Sequence, residues 1–300
     1  MNFKDMAEQN ETWIIEQRRY FHAHPELSFE EKNTTQAIGK RLEEMGLTPH
    51  FYPDYNGLWA MIEGGKSTPD SKTVALRADI DALPIEEHTG LPFCSQNPGV
   101  MHACGHDGHV AIGLGLARLL AAHKDELRGR IKLIFQPAEE GVRGAYAMMK
   151  AGVVDDVDYF FSGHVGFKAT TDNTIIARTD GFLATTKINA EFKGVSAHAG
   201  AAPEAGKNAL LAAAQAAISL NTIARHSGGA SRINVGVLNA GTGRNVVPDY
   251  ATMQLETRGE TTEVNDFMVQ EAERILHACA AMYDVQLTTS IVGSAPSCVP

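Results

Sequence analysis

The sequence predicts an α/β fold, with a first domain of mixed sheet and helices on both faces and an inserted α+β domain of the ferredoxin-like kind. Short apolar strands alternate with amphipathic helices in the first part of the chain, and polar side chains directly follow several of these strands. From about Leu183 the pattern changes to two successive β-α-β units of antiparallel character. We therefore assign residues 1–182 to the first domain, 183–293 to the second, and 294–300 to a return to the first.

Length and composition agree with two globular domains. The chain has 300 residues, which exceeds the usual size of one domain, and 44% of them are hydrophobic, which is enough to form buried cores. The 26 basic and 36 acidic side chains give a net charge of -10, and the sequence has no run rich in Lys or Arg. This charge argues against a nucleic-acid partner and against binding to an anionic membrane.

Localisation is predicted from the start of the chain and from its hydropathy. The first residues lack a basic segment followed by an apolar one, and no later stretch approaches eighteen uninterrupted apolar residues. We therefore expect a cytoplasmic protein. The four cysteines have no framework spacing, so outside the cluster described below we expect free thiols.

Two helices open the first domain. The first is predicted from about Asp5 to His22 and ends before Pro25. Ser28 and Glu31 have the spacing of a capping box, which predicts a second helix that runs to Met45.

Strands follow the two helices. They are predicted at His50–Tyr52, Leu58–Ile62, Thr73–Ala78, Ile131–Phe135 and Tyr159–Ser162. Asp79 and Asp81 follow the third strand, and they either orient metal-bound histidines from an outer position or form a solvated turn before Pro84. The ends of such strands are where α/β proteins place their chemistry.

The densest group of metal-binding side chains is the stretch Met101–His109, MHACGHDGH. Cys104 and His106 are two residues apart on a locally extended segment and can point to the same side, with Gly105 allowing a tight bend between them. Thiolate and imidazole are good ligands for zinc and other borderline transition metals. Apolar residues at helical spacing follow, so we expect a loop that leads into a buried helix and interpret the cluster as a metal site rather than as packed core residues.

Two further strand ends carry polar groups. Glu139 and Glu140 follow the strand Ile131–Phe135 and precede a glycine, so their side chains leave one rigid point in different directions. One carboxylate can bind a metal while the other acts as a general base, although a pair of glutamates is also common on solvated surfaces. His164 follows the next strand and adds a third ligand type at the same edge.

The second domain is predicted from alternating strands and two helices. The Ala-rich helix extends from Asn208 to about Ile223, and its polar side chains favour close packing over a membrane role. A later helix covers Val264–Met282. The strands contain TTKINAEFKG, SRINVGVLNAG, NVVPDYATMQLETR and VQLTTSIVG.

Five motifs together resemble one known family. They are HACGHDGH, PAEEG, SGH, GVSAHAG and GRNVVP, and with RRYFHAHPELSFEE the match extends from about Arg18 to about Arg258. This set resembles the dinuclear metallopeptidase family of aminoacylases and carboxypeptidase G. The greatest similarity is to its amidohydrolase branch, which includes hippurate hydrolase, auxin-conjugate hydrolases and the A subunit of aminobenzoyl-glutamate hydrolase.

The resemblance implies a ligand set, a general base and a reaction. The implied ligands of two divalent ions, zinc, manganese or cobalt, are Cys104, His106, Glu140 and His164. Glu139 is then the general base that activates a metal-bound water for attack on the amide bond of an N-acyl or aryl-acyl amino acid.

The second domain has implied roles as well. By resemblance it serves dimerisation, in a homodimer or in a hetero-oligomer with a related protein chain, and residues 1–182 form the metal-binding catalytic domain. The resemblance implies that His198 stabilises the oxyanion in the partner subunit's site. The alternative is that His198 is an ordinary histidine of a surface loop. Asn245 and Arg258 are implied to contact the substrate, although an arginine on a strand is often a surface ion-pairing residue.

Two alternatives to a metal-dependent hydrolase stay open. Relatives continue beyond the inserted domain to a further histidine ligand, so we expect a chain truncated at Pro300, which leaves open a catalytically impaired form that acts as a dimerising partner. A third hypothesis is that Cys104 and a nearby histidine form a thiol nucleophile pair.

Overall fold

The computed structural model describes residues 2–141, 143–166, 174–176 and 182–298. Its contacts divide the chain into two compact units, residues 1–172 and 173–300. The predicted first domain includes residues 167–173 and 177–181, and the predicted return segment includes residues 299–300, all of which lie outside the described residues.

Within the described residues, the first unit consists of four α-helices, one short 3₁₀-helix (Lys124–Glu126) and a five-stranded sheet. The helices are α1 (Phe3–Ala23), α2 (Lys32–Glu44), α3 (His106–Ala122) and α4 (Gly144–Lys150). The strands are β1 (Pro49–Phe51), β2 (Leu58–Glu63), β3 (Thr73–Asp79), β4 (Arg130–Gln136) and β5 (Tyr159–Ser162). The sheet order is β1-β2-β4-β3-β5.

The sheet of the first unit is mixed. β1 and β4 pair antiparallel with β2, whereas β3 pairs parallel with both β4 and β5. Successive side chains of β4 point to opposite faces, as expected for a strand buried on both sides. Leu133 and Phe135 pack in the core formed with α1 to α3, and Ile134 packs with Met148 of α4 on the other face. The prediction of a mixed sheet with helices on both faces is confirmed.

Helix boundaries differ from the prediction at two places. α1 begins at Phe3 because the side chain of Asn2 caps it by accepting a hydrogen bond from Lys4 N. The predicted capping box is wrong, since α2 begins at Lys32 and no side chain caps its start. Ser28 and Glu31 make long-range hydrogen bonds instead, to Asp81 and to the backbone of Ala138.

The second unit contains two α-helices, one short 3₁₀-helix (Pro203–Ala205) and six strands within its described residues. The strands are β6 (Ala184–Lys193), β7 (Ala197–His198), β8 (Ser231–Ala240), β9 (Val246–Val247), β10 (Tyr250–Gly259) and β11 (Gln286–Ala295). The helices are α5 (Ala209–Leu220) and α6 (Thr262–Met282). Four strands form an antiparallel sheet of order β11-β6-β10-β8, so the elements that build it follow one another as β-α-β-β-α-β.

Close packing explains the Ala-rich composition of α5. Ala209, Ala212, Ala213 and Ala216 are completely buried in the core that the helix shares with the sheet. The predicted strand NVVPDYATMQLETR is divided into β9 and β10, with Pro248, which has no backbone N–H, between them. No described helix has the length and apolar character needed to cross a membrane.

Candidate metal centre

The predicted site residues of the first unit follow three parallel strands. Asp79 and Asp81 lie at the end of β3, Glu139 and Glu140 come after β4, and His164 comes after β5. Because parallel strands present their carboxyl ends at the same edge of a sheet, these side chains converge there.

Cys104 and His106 reach this edge from the loop before α3. Gly105, between them, caps the helix with a φ of 89°, in the left-handed region that favours glycine. A Cβ atom at this position would lie 2.6 Å from Val165 Cγ2, so only glycine lets the Cys104–His106 turn pack beside the residue that follows His164.

His106 is the centre of the cluster. Its ring is fully buried, and Nδ1 donates a hydrogen bond to the backbone oxygen of Asp81 at 2.8 Å. This bond leaves Nε2 as the nitrogen directed at the other groups. Among the described residues Nε2 has no hydrogen-bond partner. It lies 3.7 Å from Asp79 Oδ2, 3.8 Å from Glu139 Oε2 and 3.9 Å from Glu140 Oε1.

Cys104 and His164 form the second part of the cluster. His164 Nδ1 donates to the backbone oxygen of Val165 at 2.8 Å, so Nε2 faces Cys104 Sγ at 3.5 Å. The site therefore brings together Cys104, His106, Glu139, Glu140 and His164.

Asp79 and Asp81 are buried behind the histidines. Asp81 Oδ1 lies 3.2 Å from His106 Nδ1, and Asp79 Oδ1 accepts a hydrogen bond from His109. The alternative of a solvated turn is wrong, because both aspartates are completely buried. Burial opposes the ionisation of Asp79, but His109 and Arg77 outweigh it and hold the pKa of this carboxyl well below its usual range.

His109 has a role that the sequence did not indicate. Its Nδ1 donates to Asp79, and its Nε2 accepts a hydrogen bond from Val165 N at 2.9 Å. Because both ring nitrogens have protein partners, His109 connects β3 to the segment that carries His164 rather than offering a free nitrogen to a metal.

These side chains fit divalent metal ions. Ligand atoms that share one ion at bonds of about 2.0–2.3 Å lie about 3–4 Å apart, which is the spacing around His106 Nε2 and between Cys104 and His164. A buried nitrogen among three carboxylate oxygens, at distances too long for hydrogen bonds, is the pattern expected of a cation site.

The carboxylates of the cluster stabilise the protonated forms of His106 and Cys104 when no metal ion is bound. For His106, burial lowers the pKa, but the hydrogen bond to Asp81 and the charge of Asp79 outweigh it and raise the pKa to about 9. Burial, and after it the charge of Glu140, raise the pKa of the Cys104 thiol to about 12. Both groups must lose a proton to bind a metal.

We therefore expect metal binding to release protons and to strengthen as the pH rises. Below pH 9, each proton displaced makes the apparent affinity rise about tenfold per pH unit. Titration calorimetry with Zn²⁺ in two buffers of different ionisation enthalpy measures the protons released, and we expect about two at pH 7, because both groups are protonated there. In Cys104→Ala the number falls by about one. Release that is the same in both proteins would contradict the assignment of Cys104 as a ligand.

Glu139 differs from its neighbour Glu140 in its exposure. Its side chain is 37% exposed, against 22% for Glu140, so it retains access to a water molecule. Burial raises the pKa of Glu139, and the charge of Arg77 opposes this shift. A carboxylate with a raised pKa accepts a proton more readily near neutral pH, as a general base requires.

The remaining predicted residues belong to the second unit. His198 is exposed on β7, and its Nδ1 accepts hydrogen bonds from Gly200 N and Ala201 N. Asn245 is exposed in the loop before β9, and its backbone oxygen accepts from Ala199 N at 3.0 Å, so the structure brings these two loops together. Arg258, on β10, pairs with Glu256, which agrees with the alternative of a surface ion pair.

Comparison with known proteins identifies the family. The sequence model of peptidase family M20/M25/M40 matches residues 75–290, more than half of the chain. The chain belongs to peptidase family M20/M25/M40. The resemblance noted from its motifs is therefore confirmed.

Two named hydrolases are similar to this chain over most of its length. Indole-3-acetyl-aspartic acid hydrolase of Enterobacter agglomerans is 53% identical over 83% of this chain, and the A-type chain of p-aminobenzoyl-glutamate hydrolase of Escherichia coli is 49% identical over the same share. The chain spans 58% of the length of each of these two relatives.

Solved structures of other proteins share the fold of this chain. An aminobenzoyl-glutamate utilization protein from Klebsiella pneumoniae superposes with a TM-score of 0.83 at 37% identity, covering 100% of this chain and 80% of that one. A dinuclear metal-binding peptidase of the M20 family from Bacillus subtilis has a TM-score of 0.68 at 33% identity, covering 96% and 76%.

Proposed function

We propose that this protein hydrolyses the amide bond of an N-acyl or aryl-acyl amino acid in a metal-dependent reaction. The observation that carries this proposal is the convergence of Cys104, His106, Glu140 and His164 at one edge of the sheet, with Glu139 beside them. Its membership in a peptidase family supports the same reaction class.

The proposed ligands would hold two divalent ions, zinc, manganese or cobalt. Their thiolate, imidazole and carboxylate groups suit these borderline metals. The dinuclear Bacillus subtilis relative supports the number of ions. Divalent ions bound by these residues would lower the pKa of a water molecule and would polarise the amide carbonyl.

Glu139 performs the proton transfers. It takes a proton from the attacking water as the oxygen adds to the amide carbon, and it then gives this proton to the leaving nitrogen as the carbon–nitrogen bond breaks. The products are a carboxylic acid and a free amino acid. The raised pKa of Glu139 suits both steps, because the same group must accept and later release the proton.

The proposed substrates are conjugates of the aminobenzoyl-glutamate or hippurate type. The two named relatives are hydrolases of conjugates whose amino-acid part is aspartate or glutamate. Arg258 and Asn245 are the groups that we propose for substrate contact, with Arg258 exchanging its partner Glu256 for a substrate carboxylate.

The second unit is proposed to be a ferredoxin-like dimerisation domain. Its order of elements, β-α-β-β-α-β, supports the first part of this proposal. A homodimer would allow His198 to stabilise the oxyanion in the partner subunit's site. A hetero-oligomer would do the same. The name of the Escherichia coli relative suggests a hetero-oligomer, because it denotes one subunit of a hydrolase. A cytoplasmic location stays a prediction from the sequence.

The two alternatives are less favoured. A Cys104 nucleophile needs a thiolate, whereas burial and the charge of Glu140 raise the pKa of this thiol to about 12. The close hydrolase relatives favour catalysis over a purely dimerising partner.

We expect the purified chain, loaded with Mn²⁺ or Zn²⁺, to release glutamate from p-aminobenzoyl-glutamate or aspartate from indole-3-acetyl-aspartate. A chelator should abolish this activity and added metal should restore it, whereas iodoacetamide applied to the metal-loaded protein should leave most of it, because a metal-bound thiolate is shielded. Product is measured by chromatography, with hippurate as the comparison substrate. Activity that survives chelation but is lost on alkylation would establish the cysteine mechanism instead.

A further inference from the structure

Two side chains from the segment between α1 and α2 lie near the loop that carries Glu139, Glu31 in direct contact with it and Ser28 through Asp81. Glu31 Oε1 accepts a hydrogen bond from Ala138 N at 2.8 Å, over a separation of 107 residues. Ser28 Oγ donates to Asp81 Oδ2 at 2.6 Å. The reaction proposed above uses neither side chain.

The turn at Ala138 has an unusual backbone conformation and is held by hydrogen bonds at both its N–H and its carbonyl oxygen. Ala138 has a φ of 50°, in the left-handed region that alanine rarely adopts. Its N–H is held by Glu31, and its carbonyl oxygen accepts hydrogen bonds from Arg143 N and Gly144 N. This strained turn sets the direction in which Glu139 leaves the strand end.

The other side of Glu139 is held in the same way. Glu140 N donates to Asp81 Oδ2 at 3.1 Å, the oxygen that also accepts from Ser28. Two carboxylates, Glu31 and Asp81, therefore hold the backbone N–H groups on either side of Glu139.

The burial of Glu31 indicates that its carboxyl group is there for this contact. The residue is completely buried, and Oε2 has no hydrogen-bond partner among the described residues. Burial raises the pKa of this carboxyl to about 7, which shows how unfavourable its charge is at this position. An apolar side chain would fill the same space without that cost.

We propose that Glu31, assisted by Ser28, is a positioning residue that fixes the Glu139 backbone through the N–H of Ala138 and so aims the general base. This inference rests on the proposed function. Because the contact acts on the direction of Glu139 and not on the substrate, its loss affects kcat far more than KM.

The kinetic test compares three variants at saturating Mn²⁺. In Glu31→Leu, which removes the acceptor, we expect kcat to fall roughly 10- to 100-fold with KM nearly unchanged. Glu31→Gln keeps an acceptor oxygen at the same place and should restore most of kcat. Glu30→Leu, at the exposed neighbouring position, is the matched control and should behave as the wild type. Wild-type kcat in Glu31→Leu, or equal losses in the Leu and Gln variants, would overturn the proposal.

Amide hydrogen exchange gives a second measurement that needs neither metal nor turnover. We expect faster exchange at residues 138–140 in Glu31→Leu than in the wild type, and wild-type exchange there in Glu31→Gln and Glu30→Leu. If Glu31→Leu does not fold, Ser28→Ala replaces it, with faster exchange expected at Glu140. Unchanged exchange overturns the positioning role even where the wild type hydrolyses its substrate. An inactive wild type with the expected exchange pattern overturns the proposed function instead and leaves the contact established.

Discussion

Glu139→Gln is expected to lower kcat for the proposed acyl amino acid hydrolysis by about 10³-fold and to leave the metal content unchanged. General acid–base catalysis contributes about 10²- to 10⁴-fold, and a glutamine can neither accept the proton of the attacking water nor return it to the leaving nitrogen. Steady-state kinetics on p-aminobenzoyl-glutamate and elemental analysis of the same preparation provide the two measurements.

The control for this variant is Glu43→Gln, an exposed glutamate on α2 that should retain full activity. A loss of bound metal in Glu139→Gln would contradict the assigned roles, because it would make Glu139 a ligand. The distances from His106 Nε2 to Glu139 and Glu140 are nearly equal, 3.8 and 3.9 Å, so the metal content of the two variants is what separates base from ligand. We expect Glu140→Gln to lose metal.

His106→Ala is expected to abolish metal binding and hydrolysis and to destabilise the fold. The imidazole is the only group shared by all three clusters of possible ligands among the described residues. Its removal also leaves buried carboxylates of Asp79 and Asp81 without one of their partners, which costs of the order of 3 kcal/mol in the free energy of unfolding. Elemental analysis after Mn²⁺ or Zn²⁺ loading, and urea unfolding followed by circular dichroism, measure the two effects.

His123→Ala serves as the control, because His123 is a partly exposed histidine at the end of α3. It should keep both the metal and the stability of the wild type. A His106→Ala protein that binds as many ions as the wild type would exclude His106 as a ligand and would move the metal site elsewhere.

The sequence predicted the parts of the site that lie at strand ends. Local patterns are enough to locate Glu139 after β4 and His164 after β5, since an apolar run followed by polar residues marks where a strand ends. The position of Cys104 and His106 before a buried helix is likewise a local property, set by Gly105 and the apolar residues of α3.

The sequence did not predict contacts between distant segments. The spacing of Ser28 and Glu31 matches a capping box, but both side chains bind residues that the fold brings near from far along the chain. The same holds for His109, whose partners Asp79 and Val165 are 30 residues before it and 56 residues after it. Local propensity cannot distinguish a helix cap from a long-range hydrogen bond made by the same residue types.

The parallel pairing of β3 and β4 has a consequence for folding kinetics. Asp79 of β3 is paired with Gln136 of β4. The side chains that follow these two strands therefore come together only after the long chain segment between the strands has folded into a closed loop. Non-local pairing of this kind forms slowly, and the ligand cluster is complete only after it. Added metal would therefore slow unfolding and raise the free energy of unfolding by mass action, but it would not speed up the early steps of refolding.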